Sequence, residues 1–193
     1  MFETLYAYLE KRFSLSQDDI LLIRSLFLPK NMKKGDFLVR EGEVPKYAAF
    51  VCKGFLRSYV IDNKGREHII QFAPENWWIS DKGPASGYNP SSLFIDAIED
   101  SDVLLLDING HNTLMTEIPG YASSFRTGIQ KRTDAKDKRI VHSLTATAEE
   151  RYNDFLATYP SIAIRVPQHM LASYLGITPE TLSRLRRKAM QKK

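Results

Sequence analysis

Apolar side chains recur at helical spacing near both ends of the chain and in short alternating runs between them. From residue 2 to residue 13 an apolar residue returns every three to four positions, and a second helical run covers residues 20–28. Ser16 and Asp19 precede that run at the spacing of a capping box, and Pro29 is expected to end it. The pattern predicts a pair of N-terminal helices.

Residues 35–107 consist of short runs rich in Val, Ile, Phe and Tyr, separated by turn residues. The clearest hairpin joins residues 55–61 to residues 68–72, through a turn in which Gly65 can supply the positive φ that a reversal needs. A loop rich in Gly, Pro and Ser follows at residues 82–92. The runs predict about eight antiparallel strands, the number of a double-sheet jelly roll.

The helical pattern returns after the strands, with a short helix at residues 109–117 and a long one at residues 119–144. Apolar positions on the long helix lie near a 3.5-residue repeat that polar residues interrupt. This pattern fits a dimer seam and packing against the protein's own sheet equally well. A shorter amphipathic helix is expected at residues 145–159, ended by Pro160.

The C-terminal segment combines a helix, a glycine turn and a second, capped helix. Gly176 can adopt the left-handed conformation that ends a helix in a tight turn. Thr178 is a good N-cap, and Pro179 suits the first position of a helix that should run to about Met190, with Leu182 facing inward. These features in this order predict a helix-turn-helix, and the alternative is an ordinary helical hairpin with a basic face.

Charge is distributed unevenly along the chain. Residues 1–110 hold 13 Lys and Arg against 16 Asp and Glu, a formal charge of −3, whereas residues 111–193 hold 14 against 7, a formal charge of +7. Taken alone, this asymmetry fits a solvated basic tail as well as nucleic-acid contact. The bases of the last ten residues are Arg184, Arg186, Arg187, Lys188, Lys192 and Lys193.

The chemistry of the second helix suggests how it would read duplex DNA. An arginine can bridge O6 and N7 of guanine and a carboxylate can accept from the cytosine amino group, so Arg184 and Glu180 are the predicted base readers. Glu180 could alternatively serve as the acidic partner of the helix dipole. Contacts with the DNA phosphate backbone are assigned to Gln168, His169, Arg186, Arg187 and Lys188. The full set of predicted DNA-contacting residues is Gln168, His169, Thr178, Pro179, Glu180, Thr181, Ser183, Arg184, Arg186, Arg187 and Lys188.

The sequence resembles the Crp/Fnr family of transcription regulators over nearly its whole length. The resemblance is carried by residues 171–184, LASYLGITPETLSR, in which Glu180 and Arg184 fall on the family's base-contacting positions. It implies an α+β protein that binds a near-palindromic operator as a homodimer and contacts RNA polymerase. The implied domains are a cyclic-nucleotide-binding-like jelly roll (1–118), a dimerisation helix (119–144) and a helix-turn-helix domain without a complete wing (145–193).

The jelly roll departs from the pattern of the family's cyclic-nucleotide-binding members. Those members carry a Gly-Glu pair and an arginine beside Ser or Thr and then Ala, whereas residues 79–81 and 91–93 of this chain contain no arginine. A buried phosphodiester needs such a partner, so an effector other than cyclic AMP is expected. The two tryptophans could line the pocket or simply pack in a sheet. The candidate effector-binding residues are Trp77, Trp78, Asp81, Ser91 and Ser92.

Several classes of protein are disfavoured by what the sequence lacks. Cys52 is the only cysteine, which excludes an intrachain disulfide and a cysteine-held zinc or iron–sulfur site, and no cofactor or metal is expected. No stretch reaches the roughly 20 apolar residues that cross a bilayer, so a cytoplasmic protein without membrane contact is expected.

An enzyme is not expected, because the histidines lack convincing catalytic partners and no nucleophile elbow or phosphate loop accompanies them. These histidines are His68, His111, His142 and His169. The remaining alternative is a ligand-binding or protein-interaction module whose helix-turn-helix no longer reads DNA.

Overall fold

The computed structural model describes residues 1–81 and 89–190. Two helices come first, followed by eight strands, and the remaining described chain is helical. The first helices and the strands are α1 Phe2–Glu10, α2 Gln17–Leu26, β1 Leu28–Met32, β2 Phe37–Val39, β3 Tyr47–Lys53, β4 Leu56–Ile61, β5 Glu67–Ala73, β6 Trp78–Ile79, β7 Phe94–Ala97 and β8 Ser101–Asp107. The later helices are α3 Ile108–Glu117, α4 Pro119–Thr145, α5 Ala148–Thr158, α6 Pro160–Arg165, α7 Gln168–Leu175 and α8 Pro179–Met190.

The strands form two four-stranded antiparallel sheets, in the orders β1-β8-β3-β6 and β2-β7-β4-β5, which confirms the predicted jelly-roll fold. The predicted hairpin is β4 and β5, and Gly65 in its turn has a φ of 75°. Most of the predicted loop, residues 82–88, lies outside the described residues.

Alternation along the strands gives the first sheet two apolar faces. On β8, Val103 and Leu105 belong to a buried cluster that also contains Leu56 and Ile95 of the second sheet, so this cluster fills the space between the sheets. The intervening Leu104 and Leu106 pack with residues of α1, α2 and α3 on the other face. Cys52 lies in this second cluster and is buried, as a small packing residue, and burial raises the pKa of its thiol to about 11.

The N-terminal helices confirm one prediction and correct another. The capping box at α2 is present, because the Asp19 amide donates to Ser16 Oγ at 3.1 Å and the Ser16 amide donates to Asp19 Oδ2 at 2.9 Å. The helix ends at Leu26, however, and the residues around Pro29 form β1. Pro29 is tolerated there because β1 lies at the edge of its sheet, where β8 is its one partner among the described strands.

The long helix is present as α4, and Thr147 caps the following helix with a second capping box. Helix α5 ends at Thr158, just before Pro160, as the sequence predicts, and Pro160 then begins the short helix α6 in the first-turn position that suits proline. Clustering of backbone contacts divides the chain into two compact units: the first comprises Met1–Val60 and Gln71–Ile129, and the second Ile61–Ile70 and Gln130–Lys193. The second unit therefore holds the C-terminal helices together with the tip of the β4–β5 hairpin.

Candidate nucleic-acid interface

Helices α7 and α8 are joined by the tight turn that the sequence predicts. Gly176 is left-handed, with φ 65° and ψ 37°, and its amide donates to the Ser173 carbonyl at 3.1 Å. The Ile177 amide donates to the Ala172 carbonyl at 3.0 Å, which satisfies another carbonyl at the helix end. The chain is thus redirected without leaving these carbonyls unpaired.

The start of α8 is built from residues that favour a helix N-terminus. Thr178 Oγ1 accepts a hydrogen bond from the Thr181 amide at 3.2 Å, and Pro179 is the first helical residue. Glu180 lies in the first turn, where hydrogen bonds from its own amide and then from Thr178 lower the pKa of its carboxyl group. Glu180 is therefore held as an ionised acceptor.

Apolar residues anchor both helices from one side. Leu171, Ala172 and Leu175 of α7 are buried, and Leu182 of α8 has no exposed surface. Helix α5 contributes Phe155, whose ring meets that of Tyr174 edge-on with centroids 5.4 Å apart. This packing fixes which side of α8 faces outward.

Arg151 of α5 binds the ends of two other helices, a role that the sequence did not reveal. Its Nε donates to the Leu175 carbonyl at 3.1 Å and its Nη1 donates to the Ala146 carbonyl at 2.6 Å. A cation at these carbonyl ends also opposes the negative end of each helix dipole. Because the bonds go to backbone atoms, no pairing signal exists in the sequence.

The outward side of α8 brings the predicted DNA-contacting residues together. Glu180, Ser183, Arg184 and Arg187 are exposed and recur at three- and four-residue spacing, which places them on one face. The helix is lined on that face by polar and cationic groups that match the donors and acceptors of a major groove. Of the other predicted residues, Gln168, His169, Thr178, Pro179 and Lys188 are exposed, and Thr181 and Arg186 are half-buried.

Lys188 has an acidic partner within the same unit. Its Nζ lies 2.6 Å from Glu149 Oε2 at the start of α5. This ion pair was not predicted, because the two residues are separated by 39 positions. It reduces the cationic charge that Lys188 presents to a polyanion.

The candidate effector-binding residues are not gathered into one site among the described residues. Trp78 packs against Phe27 and Phe50 in the cluster that faces the helices, whereas Trp77 packs against the cluster between the sheets. The Ser91 hydroxyl donates to the Leu93 carbonyl at 2.7 Å within a local turn, and Ser92 is exposed.

Asp81 differs from these residues because its carboxylate is buried without a full set of partners. The residue is 5% exposed, and within the described part of the chain its Oδ2 has no hydrogen-bond partner. A buried carboxylate oxygen without a donor is energetically unfavourable. It is therefore a point at which a hydrogen-bond donor would be stabilised.

The jelly roll contains a buried arginine that was not predicted from the sequence. Arg57 on β4 and Asp96 on β7 are each 6% exposed, and their side chains form a bidentate ion pair with N···O distances of 2.8 and 3.0 Å. The Arg57 guanidinium also lies over the ring of Tyr59, 4.1 Å from its centroid. Asp96 compensates the charge that Arg57 carries.

Across residues 1–81 and 89–190, no cluster of three or more His, Cys, Asp or Glu side chains is arranged to hold a metal ion. None of the helices in these same ranges combines the length and apolarity that a membrane span requires.

Comparison with known proteins relates this architecture to a set of bacterial regulators. Residues 29–117 match the family model for the cyclic nucleotide-binding domain. The chain is 24% identical over 167 residues to the fumarate and nitrate reduction regulatory protein of Escherichia coli strain K12, with 81% of this chain and 66% of that protein aligned. The chain thus spans just under two thirds of that relative's length.

Two solved structures share the fold at low sequence identity. FixK2 from Bradyrhizobium japonicum superimposes with a TM-score of 0.72 at 21% identity, covering 86% of each chain. A variant of CooA from Carboxydothermus hydrogenoformans gives a TM-score of 0.74 at 16% identity, covering 92% of this chain and 82% of CooA. The similarity to both extends over the jelly roll and the C-terminal helices.

Proposed function

We propose, from the premise that the chain belongs to the Crp/Fnr family, that it is a transcription regulator that binds a specific duplex operator through α8. The observation that carries this proposal is the exposed polar and cationic face of α8, which includes Glu180 and Arg184 and is held outward by the buried Leu182. A helix presented in this way matches the width and the donor and acceptor pattern of the major groove. The protein would act in the cytoplasm, where its DNA is.

Within this proposal, the contacts divide by chemistry. Arg184 and Glu180 read base edges, while Gln168 and His169 at the start of α7 and Arg187 on α8 contact phosphates. Phosphate contacts orient the protein on the duplex without selecting a sequence, and base contacts select it. Residues 145–193 form the DNA-binding domain, residues 119–144 the dimerisation helix and residues 1–118 the effector domain.

Helix α4 supports a homodimer as the binding species. Four of its large apolar side chains are exposed, with Ile129 at 44%, Ile140 at 59%, Val141 at 54% and Leu144 at 81%. Ile129, Ile140 and Leu144 are separated by eleven and four positions, so they share one side of the helix. A second copy of α4 would cover this surface and set two copies of α8 about one helical turn of DNA apart.

The interior of the jelly roll favours an effector other than cyclic AMP. The charge of the buried Arg57 is already matched by Asp96, and Asp81 adds a buried carboxylate whose Oδ2 has no hydrogen-bond partner in the described chain. An anionic phosphodiester would be repelled by the Asp81 carboxylate, and the paired Arg57 would not compensate its charge. A ligand that donates hydrogen bonds or carries positive charge would be accepted.

Selection of bound duplexes from a random pool tests the proposed function. We expect enrichment of one near-palindromic sequence, with an affinity that falls steeply as salt rises because phosphate contacts release counterions. Sedimentation of the complex should show two protein chains per duplex. Recovery of no preferred sequence would reject the proposal and favour an interaction module whose helix-turn-helix does not read DNA. Contact with RNA polymerase is tested separately, by transcription from a promoter that carries the selected sequence.

A further inference from the structure

Helix α4 carries two adjacent residues of opposite charge, Lys136 and Asp137, on the same side as its exposed apolar side chains. We propose that these two residues form reciprocal ion pairs with a second copy of the chain, so that α4 pairs in register with itself and rejects helices that lack this charge pattern. The inference rests on the homodimer of the proposed function and names what selects its partner. We call Lys136 and Asp137 of the two copies the charged layer.

The charged layer is set into the exposed apolar stripe of α4. Lys136 follows Ile129 by seven residues and precedes Ile140 by four, while Asp137 precedes Ile140 by three residues and Leu144 by seven. Residues at these spacings share one side of a helix. All five side chains are exposed. A partner that covers the apolar stripe must therefore also cover these two charges.

Another side of α4 is engaged by the chain's own helix α5. Lys138 Nζ lies 2.9 Å from Asp154 Oδ1, and His142 Nδ1 lies 3.8 Å from Asp154 Oδ2. Lys138 is about 200° around the helix from Lys136, so α5 does not cover the charged layer. Across residues 1–81 and 89–190, no hydrogen bond or ion pair joins the side chain of Lys136 or Asp137 to another residue. The charged layer is thus available to a partner from outside the chain.

Parallel, in-register pairing of two α4 helices brings opposite charges together. Each core side chain of a parallel coiled coil packs into a hole formed by core and flanking residues of the facing helix, which sets Lys136 of one copy beside Asp137 of the other. Two seams can be drawn through the apolar stripe, one with Lys136 at a core position and Asp137 flanking it, and one with these roles exchanged. Either seam gives the same ion pair, and two-fold symmetry forms it twice.

Other arrangements lose these ion pairs. A shift of one heptad sets Lys136 against Ile129 of the second copy, and a covered charge without a partner is unfavourable. A helix that carries a base in place of Asp137 meets Lys136 with like charge, which costs affinity. A charged residue in a seam lowers the stability of the pair but fixes its register and its partner. The charged layer therefore selects a second copy of this chain.

Charge reversal of one residue at a time tests the charged layer on the full chain. Lys136→Glu brings acids of the two copies together, and Asp137→Lys brings bases together. We expect each variant to raise the dissociation constant of the dimer by about 10-fold or more, measured by sedimentation equilibrium without DNA. When the two variants are mixed, opposite charges face each other again. The mixed dimer, identified by a fluorescent label on one variant, should form with a dissociation constant within about 3-fold of that of the unaltered protein.

Matched variants separate the charged layer from a general effect of charge. Lys131→Glu and Asp134→Lys make the same changes at exposed positions of α4, about 140° and 160° around the helix from Lys136, and neither should weaken the dimer. A chain that carries Lys136→Glu together with Asp137→Lys exchanges the two charges and should dimerise like the unaltered protein. Because association on mixing requires folded chains, misfolding of a single variant cannot produce the expected result.

Two results would overturn the inference. One is that the single variants dimerise as tightly as the unaltered protein, and the other is that they stay monomeric after mixing. A monomeric unaltered protein would reject the proposed homodimer together with the charged layer. DNA reading is judged separately, by selection of duplexes. A dimer that shows the expected charge dependence but prefers no duplex would reject the proposed function and confirm the charged layer.

Discussion

Lys188 on α8 and Glu149 on α5 form an ion pair, with Nζ and Oε2 2.6 Å apart, at the edge of the candidate DNA-binding surface. A cation that is already paired releases fewer counterions from a DNA phosphate than a free one. Glu149→Gln should therefore strengthen DNA binding and steepen the dependence of log K on log salt concentration by about 0.9 per protomer.

Titration at several salt concentrations measures this effect, and Glu10→Gln provides the control. Glu10 is an exposed residue at the end of α1, so its replacement changes the net charge equally but lies in the first unit. If both variants give the same salt dependence, Glu149 does not restrain Lys188.

The turn of the helix-turn-helix makes a prediction about backbone conformation. Gly176 has a positive φ, and a Cβ added there would meet no atom within 4 Å, so Gly176→Ala introduces conformational strain without a clash. We expect a loss of about 1–2 kcal/mol in the free energy of unfolding. Gly128→Ala on α4 is the control, since it too meets no atom within 4 Å and should stabilise the helix by about 0.5–1 kcal/mol. Urea unfolding in which both variants shift stability in one direction would contradict this account.

The elements that the sequence predicted are those whose signals are local. The caps of α2 and α8, the left-handed Gly176 and the Gly65 turn each depend on residues within a few positions, and all are present. Strand β1 was missed because Pro29 indicates a helix end, and it is the pairing with β8, whose residues lie 69 to 77 positions away, that makes it a strand. Local propensity cannot report such a partner.

The candidate site also combines features that local sequence signals predict with contacts that they do not predict. The exposed face of α8 follows from helical periodicity once Leu182 is placed inward. The hydrogen bonds of Arg151 go to backbone atoms, and the pairing of Arg57 with Asp96 joins residues 39 positions apart. Side chains of these types are common on surfaces, so nothing in the sequence distinguished them from solvated residues.

The buried ion pair in the jelly roll predicts an asymmetric response to mutation. Asp96→Ala removes the carboxylate that lies against the buried Arg57 and should cost about 3–5 kcal/mol of folding stability. Replacing both residues, by Arg57→Met with Asp96→Leu, should cost less than the single change, because no charge is then buried. Urea unfolding compares the three proteins, and a double variant that is less stable than Asp96→Ala would refute this interpretation.

His111 predicts a pH dependence of stability. It is buried beside Tyr121 and Phe125, with its Nδ1 3.2 Å from the Tyr121 hydroxyl, and burial lowers its pKa from 6.5. The unfolded chain therefore binds a proton at this histidine more readily than the folded chain does. The contribution of neutral His111 to folding stability is complete above pH 6.5 and is lost as the pH falls toward the pKa of His111 in the folded state. Thermal unfolding should show this loss, and His111→Gln should reduce its slope between pH 7 and pH 5. An unchanged slope would exclude His111 as the cause.

The most direct test of DNA reading by α8 is the affinity of Arg184→Ala for the selected duplex and for each of its single base-pair variants. We expect a loss of about 1–3 kcal/mol on the selected duplex and the disappearance of preference at one base pair only. Arg187→Ala, a predicted phosphate contact on the same helix, should weaken binding to every duplex alike. An Arg184→Ala protein that loses the same affinity on all duplexes, with every base preference intact, would contradict the assignment of α8 as the recognition helix.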